Sequence, residues 1–307
     1  MCIFKLYKTK NNPRREMPWS TALIGALLFL TAPSVAQAAF PSCFDWRDVG
    51  GQDFTTPVTS QASCAASWIF APIAALEAKV KIKSNNAAWN PDYSEQYILS
   101  CEANASGSCS SGGNFIRTLN FLVETGVPQE DCFNYKADDT QPCTDTCPDS
   151  DGPLSLVKIS NFSKVATNVK AIKQEIYDNG PVVSFFKIPA SFSSYDTGIY
   201  SCDESLIVGL CVVIVGWGIE DTTDYWIVKN DWGPSWGEHG YVRIKIESCN
   251  LADNVWTIKD PIIPAPISDG GVDAGGDTDT DSDTDTDTDS DTDSDTDTDT
   301  DTDTDTE

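Results

Sequence analysis

Eleven cysteines and one histidine are the residues of this 307-residue chain whose chemistry first demands an account. A zinc site built from thiolates and imidazoles is disfavoured by a lone imidazole, His239, so no metal and no cofactor is assigned. With Cys2 in the N-terminal segment, ten cysteines remain. An even set in an exported chain reads as a disulfide framework formed in an oxidising compartment.

Export is expected from the first 38 residues. Lys5, Lys8, Lys10, Arg14 and Arg15 precede an apolar run from Ala22 to Leu30, and Ala36-Gln37-Ala38 follows. Basic, apolar and small residues in that order describe a signal peptide, 1–38, and a secreted or extracytoplasmic protein. The apolar run is about half of the roughly 20 residues a membrane span requires, so no transmembrane segment is expected.

The other end differs in kind. From Asp277 to Asp305 aspartate alternates with Thr or Ser, and residues 269–307 hold 18 of the 47 acidic side chains. A stretch with nothing apolar to bury and self-repelling charge is expected to be disordered. Its carboxylates can collect cations only weakly and diffusely, because no glycine-turned loop fixes a coordination shell. The formal charge of −27 argues against a nucleic-acid partner. A Pro/Gly linker, 261–276, joins this 277–307 tail to a folded body expected over 39–260, which is long enough for one or two lobes.

The body carries an ordered series of motifs: Asp45-Trp46-Arg47, Thr56-Pro57-Val58, Gln61-Ala62-Ser63-Cys64-Ala65-Ala66-Ser67-Trp68, Gly180-Pro181-Val182, Gly198-Ile199-Tyr200, Val215-Gly216-Trp217-Gly218, and the run from Lys229 to Tyr241. As a set this resembles the papain family of cysteine proteases over about residues 41–260. The resemblance implies an α+β, two-lobe fold, a helical lobe facing a β-barrel-like lobe across a groove. The chain supports that division. Residues 68–83 read as a helix buried on most sides, with lysines fading into solvent. Short β-rich runs follow at Val182–Phe186, Cys211–Val215, Tyr225–Val228 and Tyr241–Ile246. The lobes are placed at about 64–153 and 154–260.

Catalysis of that family's kind needs a thiolate at a helix N-terminus, an imidazole, an amide to orient the ring and an oxyanion donor. The resemblance puts Ser67 at the nucleophile position and Leu210 at the histidine position, while Gln61 matches the oxyanion-hole glutamine and Asn230 the orienting asparagine. A serine hydroxyl is too weak an acid for a helix dipole of about 1 kcal/mol to ionise, and leucine is no base. His239 lies in the Trp-Gly-Glu-x-Gly-Tyr turn, which the family uses structurally. Cys211, next to Leu210, is not expected to stand in as nucleophile, since strand neighbours face opposite ways and Leu210 takes the groove side. Pro72 removes one helical hydrogen bond near Trp68 and threatens a kink at Ser67. The leader also leaves no room for an inhibitory propeptide, as expected where there is no activity to restrain.

The groove itself can persist. Cys109-Ser110-Ser111-Gly112-Gly113 resembles the family's Cys-x-Gly-Gly with one insertion, so Gly112 and Gly113, with Trp232, are candidates for holding an extended peptide; a plain turn is the alternative. The resemblance further implies disulfides Cys64–Cys109, Cys101–Cys143, Cys202–Cys249 and Cys132–Cys147. Cys43 and Cys211 are left over, as a buried thiol or as partners of each other.

The expectation is therefore a secreted peptidase homologue, catalytically inactive, that binds a peptide or protein ligand. Two alternatives stay open: a hydrolase using Ser67 with an unrecognised base, and an envelope or surface module on an acidic stalk.

Overall fold

The computed structural model describes residues 40–102, 107–145, 155–202, 205 and 207–264. The expected leader, the tail and all but the first residues of the linker lie outside them. Among the described residues are four α-helices and eight strands: β1 Phe44–Asp45, α1 Ser67–Lys83, α2 Glu95–Cys101, α3 Phe115–Glu124, β2 Lys158–Lys164, α4 Val169–Asn179, β3 Val182–Ile188, β4 Ile199–Tyr200, β5 Val208–Glu220, β6 Thr223–Lys229, β7 Tyr241–Lys245 and β8 Val255–Ile262. The strands form one sheet in the order β2-β8-β3-β5-β6-β7-β4, with β1 added on β5. The four strands expected from the β-rich runs are β3, β5, β6 and β7; β3, β6 and β7 differ by one to three residues, while β5 runs 13 residues from Val208 to Glu220, well beyond the expected Cys211–Val215. The body runs past its expected end, because Pro261 and Ile262 still pair with Ile159 and Lys158 of β2.

Helix α1 lies against this sheet and is buried along nearly its whole length, from Ser67 to Lys81. Apolar residues on every side explain that burial. The lysines do not fade into solvent as expected. Lys79 Nζ donates to Thr257 Oγ1 (2.9 Å) and to the Ile258 carbonyl (2.8 Å), and Lys81 Nζ to the Thr55 carbonyl (2.5 Å) and Asn90 Oδ1 (2.9 Å). Each long stem is buried while its ammonium meets acceptors that the chain supplies from far away.

The expected kink at Pro72 is absent, and α1 runs unbroken through it. Proline cannot donate to the carbonyl four residues back, which is that of Trp68. Thr118 Oγ1, from α3, donates to this carbonyl at 3.0 Å in a fully buried setting. A side chain 50 residues away thus replaces the missing backbone bond.

A further chain of bonds fixes the helix against the sheet. Lys229 Nζ donates to Thr56 O (2.8 Å) and Oγ1 (3.0 Å), while Thr56 Oγ1 donates to Glu77 Oε2 of α1 at 2.6 Å. At the N-terminus β1 pairs with β5 through Phe44↔Trp217 and Asp45↔Gly216. A Cβ at Gly216 would stand 2.1 Å from the Phe44 carbonyl oxygen, so only glycine lets β1 lie there.

Candidate functional site

The N-terminus of α1 presents Ser67. Ala66 occupies the capping position without a side-chain cap, and no acidic residue lies in the first turn, so the helix points its partial positive charge at Ser67 unopposed. The Ser67 hydroxyl is nevertheless engaged: its Oγ accepts from the Cys211 N–H of β5 at 3.2 Å.

Around Ser67 a groove of about 480 Å³ is lined by Gln61, Ser67, Gly112, Gly113, Leu210 and Trp232. These are six of the seven site residues expected from sequence. The seventh, Asn230, is buried behind the groove and lines a separate, smaller cavity. Leu210 is itself buried, and on β5 it pairs with Phe186 of β3.

Cys211 corrects an expectation. Leu210 does not take the groove side alone, for Cys211 lines the groove too and contacts Ser67. Cys211 is a free, buried thiol, and Cys43 is disulfide-bonded, so the two are not partners. Burial pushes the Cys211 thiol far above the usual cysteine range, with Asp231 adding to the rise and a hydrogen bond from Ser67 opposing it. It is a poor nucleophile in this setting.

The glycines of the second wall have distinct tasks. Gly112 exchanges both backbone bonds with Ser108 (2.9 and 3.0 Å) at a φ of 71°, so its peptide groups are spent. Among the described residues no pair of that kind ties up Gly113, where a Cβ would come within 2.4 Å of the Trp68 indole. The turn alternative therefore accounts for Gly112, and close packing on Trp68 for Gly113.

Gln61 is anchored through its backbone, with its N–H on the Asp231 carbonyl (2.8 Å) and its carbonyl receiving Tyr135 OH (3.0 Å). Its Oε1 is buried without a hydrogen-bond partner among the described residues. His239 stands elsewhere, bordering a cleft of about 410 Å³ with Asp53, Lys81 and Tyr241. Its backbone is left-handed, φ 58°, and its neighbour Glu238 binds Arg243 and the Gly198 N–H.

Disulfides join Cys64–Cys109, Cys101–Cys143 and Cys202–Cys249. The first clips the Ser110–Gly113 wall to the segment leading into Ser67. Cys132 is also disulfide-bonded, while Cys147 lies outside the described residues.

Sequence reasoning missed Phe185, Ile207 and Val208, which complete an apolar wall. Ile207 and Val208 are 62% and 52% exposed. Phe185 sat inside an expected strand, but which way it faces depends on its register with Cys211.

Comparison with known proteins places this geometry in a class. Residues 40–258 match the family described as papain family cysteine protease. Cathepsin B-like CP1 of Giardia intestinalis is 33% identical over 227 residues, 71% of this chain and 73% of that protein. The structure of digestive procathepsin L2 from Tenebrio molitor larval midgut aligns with a TM-score of 0.62 and 29% identity, over 73% of this chain and 70% of that one. Bromelain from Ananas comosus, solved with the E64 inhibitor, aligns with a TM-score of 0.60 and 31% identity, over 72% and 99%. The chain belongs to the papain family and has its mixed helix-and-sheet fold. It is a homologue of the cathepsin-like peptidases.

Proposed function

We propose that this papain-family homologue binds an extended peptide or protein segment in its groove and does not cleave it. One observation carries the reading: the hydroxyl at the head of α1 accepts from the Cys211 N–H, with apolar Leu210 where the family's imidazole is expected. Attack by a serine requires a base within hydrogen-bond reach. The imidazole of His239 borders a different cleft, and a helix dipole of about 1 kcal/mol does not ionise an aliphatic hydroxyl.

The wall chemistry supports a ligand class. Among the described residues, no side chain bordering the groove carries a formal charge at neutral pH, and Phe185, Ile207 and Val208 offer apolar surface. A charged ligand side chain would lose water there without gaining a partner, whereas an aliphatic one gains by burial. Gly113, whose peptide groups make no backbone pair like that of Gly112 among the described residues, suits an extended backbone. In this reading residues 1–38 export the protein and the 277–307 tail serves as a solvated spacer that holds cations only diffusely.

The test is to titrate the full chain with capped peptides differing in one residue (Leu, Lys or Asp) and to recover the bound fraction for mass spectrometry. Intact peptides are expected, with Leu favoured and binding weakened in Ile207→Asp, a rim change that leaves the core untouched. Cleaved peptides refute the inactivity; retention indifferent to Ile207→Asp refutes the groove.

A further inference from the structure

Behind the groove floor lies a cavity of about 10 Å³, bordered by Phe70, Ala71 and Ala74 of α1, Cys211 and Val213 of β5, and the polar run Lys229-Asn230-Asp231 at the end of β6. That is about the space of one water centre. Lys229 is already committed, its ammonium held by Thr56. Asn230 and Asp231 are not. Asn230 is 3% and Asp231 6% exposed, and four of their side-chain atoms, Asn230 Nδ2 and Oδ1 and Asp231 Oδ1 and Oδ2, have no hydrogen-bond partner among the described residues.

Buried polar groups in that state are costly, and folded proteins satisfy them from within or with solvent. The amide of Asn230 offers a donor and an acceptor, and the carboxyl of Asp231 two oxygens. A water needs two to four polar partners and about this much room. Size and chemistry thus agree independently, one from the packing of α1 against β5 and the other from the orphaned atoms.

We propose that this cavity is a built site for one internal water that bridges the side chains of Asn230 and Asp231 beneath the groove. The water accepts from the Asn230 amide and meets a carboxyl oxygen of Asp231. It becomes the polar filling where helix and sheet join, and it gives Asn230 a role that requires no imidazole. Burial pushes the Asp231 carboxyl up to about 8, so near neutral pH the acid is itself a proton donor to the water.

High-resolution crystal structures of the full chain and of Asp231→Asn test this. One water within hydrogen-bond distance of both the residue-231 side chain and the Asn230 amide is expected in each. A dry cavity, or a water touching only one of the two, overturns the proposal. In solution, water-oxygen relaxation dispersion counts long-lived internal waters. Asp231→Leu, which fills the space, is expected to lose one relative to the parent, and an unchanged count overturns the proposal.

Discussion

The bond from Thr118 to the Trp68 carbonyl makes a prediction that can be worked in numbers. Thr118→Val keeps the shape of the side chain and removes only the hydroxyl, so no cavity opens. What remains is a carbonyl in a fully buried setting that Pro72 cannot serve. Leaving such a group unsatisfied costs about 1–3 kcal/mol, or roughly 2–4 °C of melting temperature per kcal/mol for a domain of this size. Pro72→Ala restores a backbone N–H to the same carbonyl. In that background Thr118→Val is expected to cost half as much or less, so the two changes couple by about 1 kcal/mol in a double-mutant cycle. Urea denaturation of the four proteins measures it. Equal costs of Thr118→Val with Pro72 and with Ala at 72 would refute the claim that the hydroxyl replaces the lost helical bond.

Other predictions concern charge and packing. Burial pushes Glu77 and Glu130 up to about 7 and Asp231 to about 8. These acids hold protons more tightly when folded, so their contribution to stability is full at pH below about 4.5, where the unfolded groups are protonated too, and is lost as pH rises through 7 to 8. Burial lowers Lys79 from 10.5 to about 8, and stability recovers as pH climbs across that interval. Melting scans from pH 5 to 10 should show a minimum near pH 8; a maximum there contradicts the burial argument. Gly113→Ala forces a Cβ to 2.4 Å from the Trp68 ring and should cost about 1–3 kcal/mol, read by denaturation; a neutral change would mean the indole yields freely.

Much of the fold was legible because its signals are local. The Trp68 helix, four of the strands and the glycine-bearing wall each show in a short run of residues. What was not legible depends on partners far apart in sequence. Nothing near Lys79 or Lys81 announces that the acceptors are Thr257, Ile258 and Asn90, so lysines late in a helix read as solvated. Nothing near Pro72 announces Thr118. The groove residues showed the same division. Gln61, Ser67, Gly113, Leu210 and Trp232 were nameable from motifs, whereas Phe185, Ile207 and Val208 joined them only through strand register. Alternation along β5 separates the faces of Leu210 and Cys211, but it does not announce that both residues line the groove.

The central claim is that Ser67 has no base to activate it. The most direct measurement is hydrolysis of a broad peptide library by the purified full chain, beside Ser67→Ala and the double variant Ser67→Cys with Leu210→His. No cleavage above background is expected from the parent or Ser67→Ala, with thiol-dependent cleavage gained only when thiol and imidazole are introduced together. Cleavage by the parent that disappears in Ser67→Ala would contradict the claim.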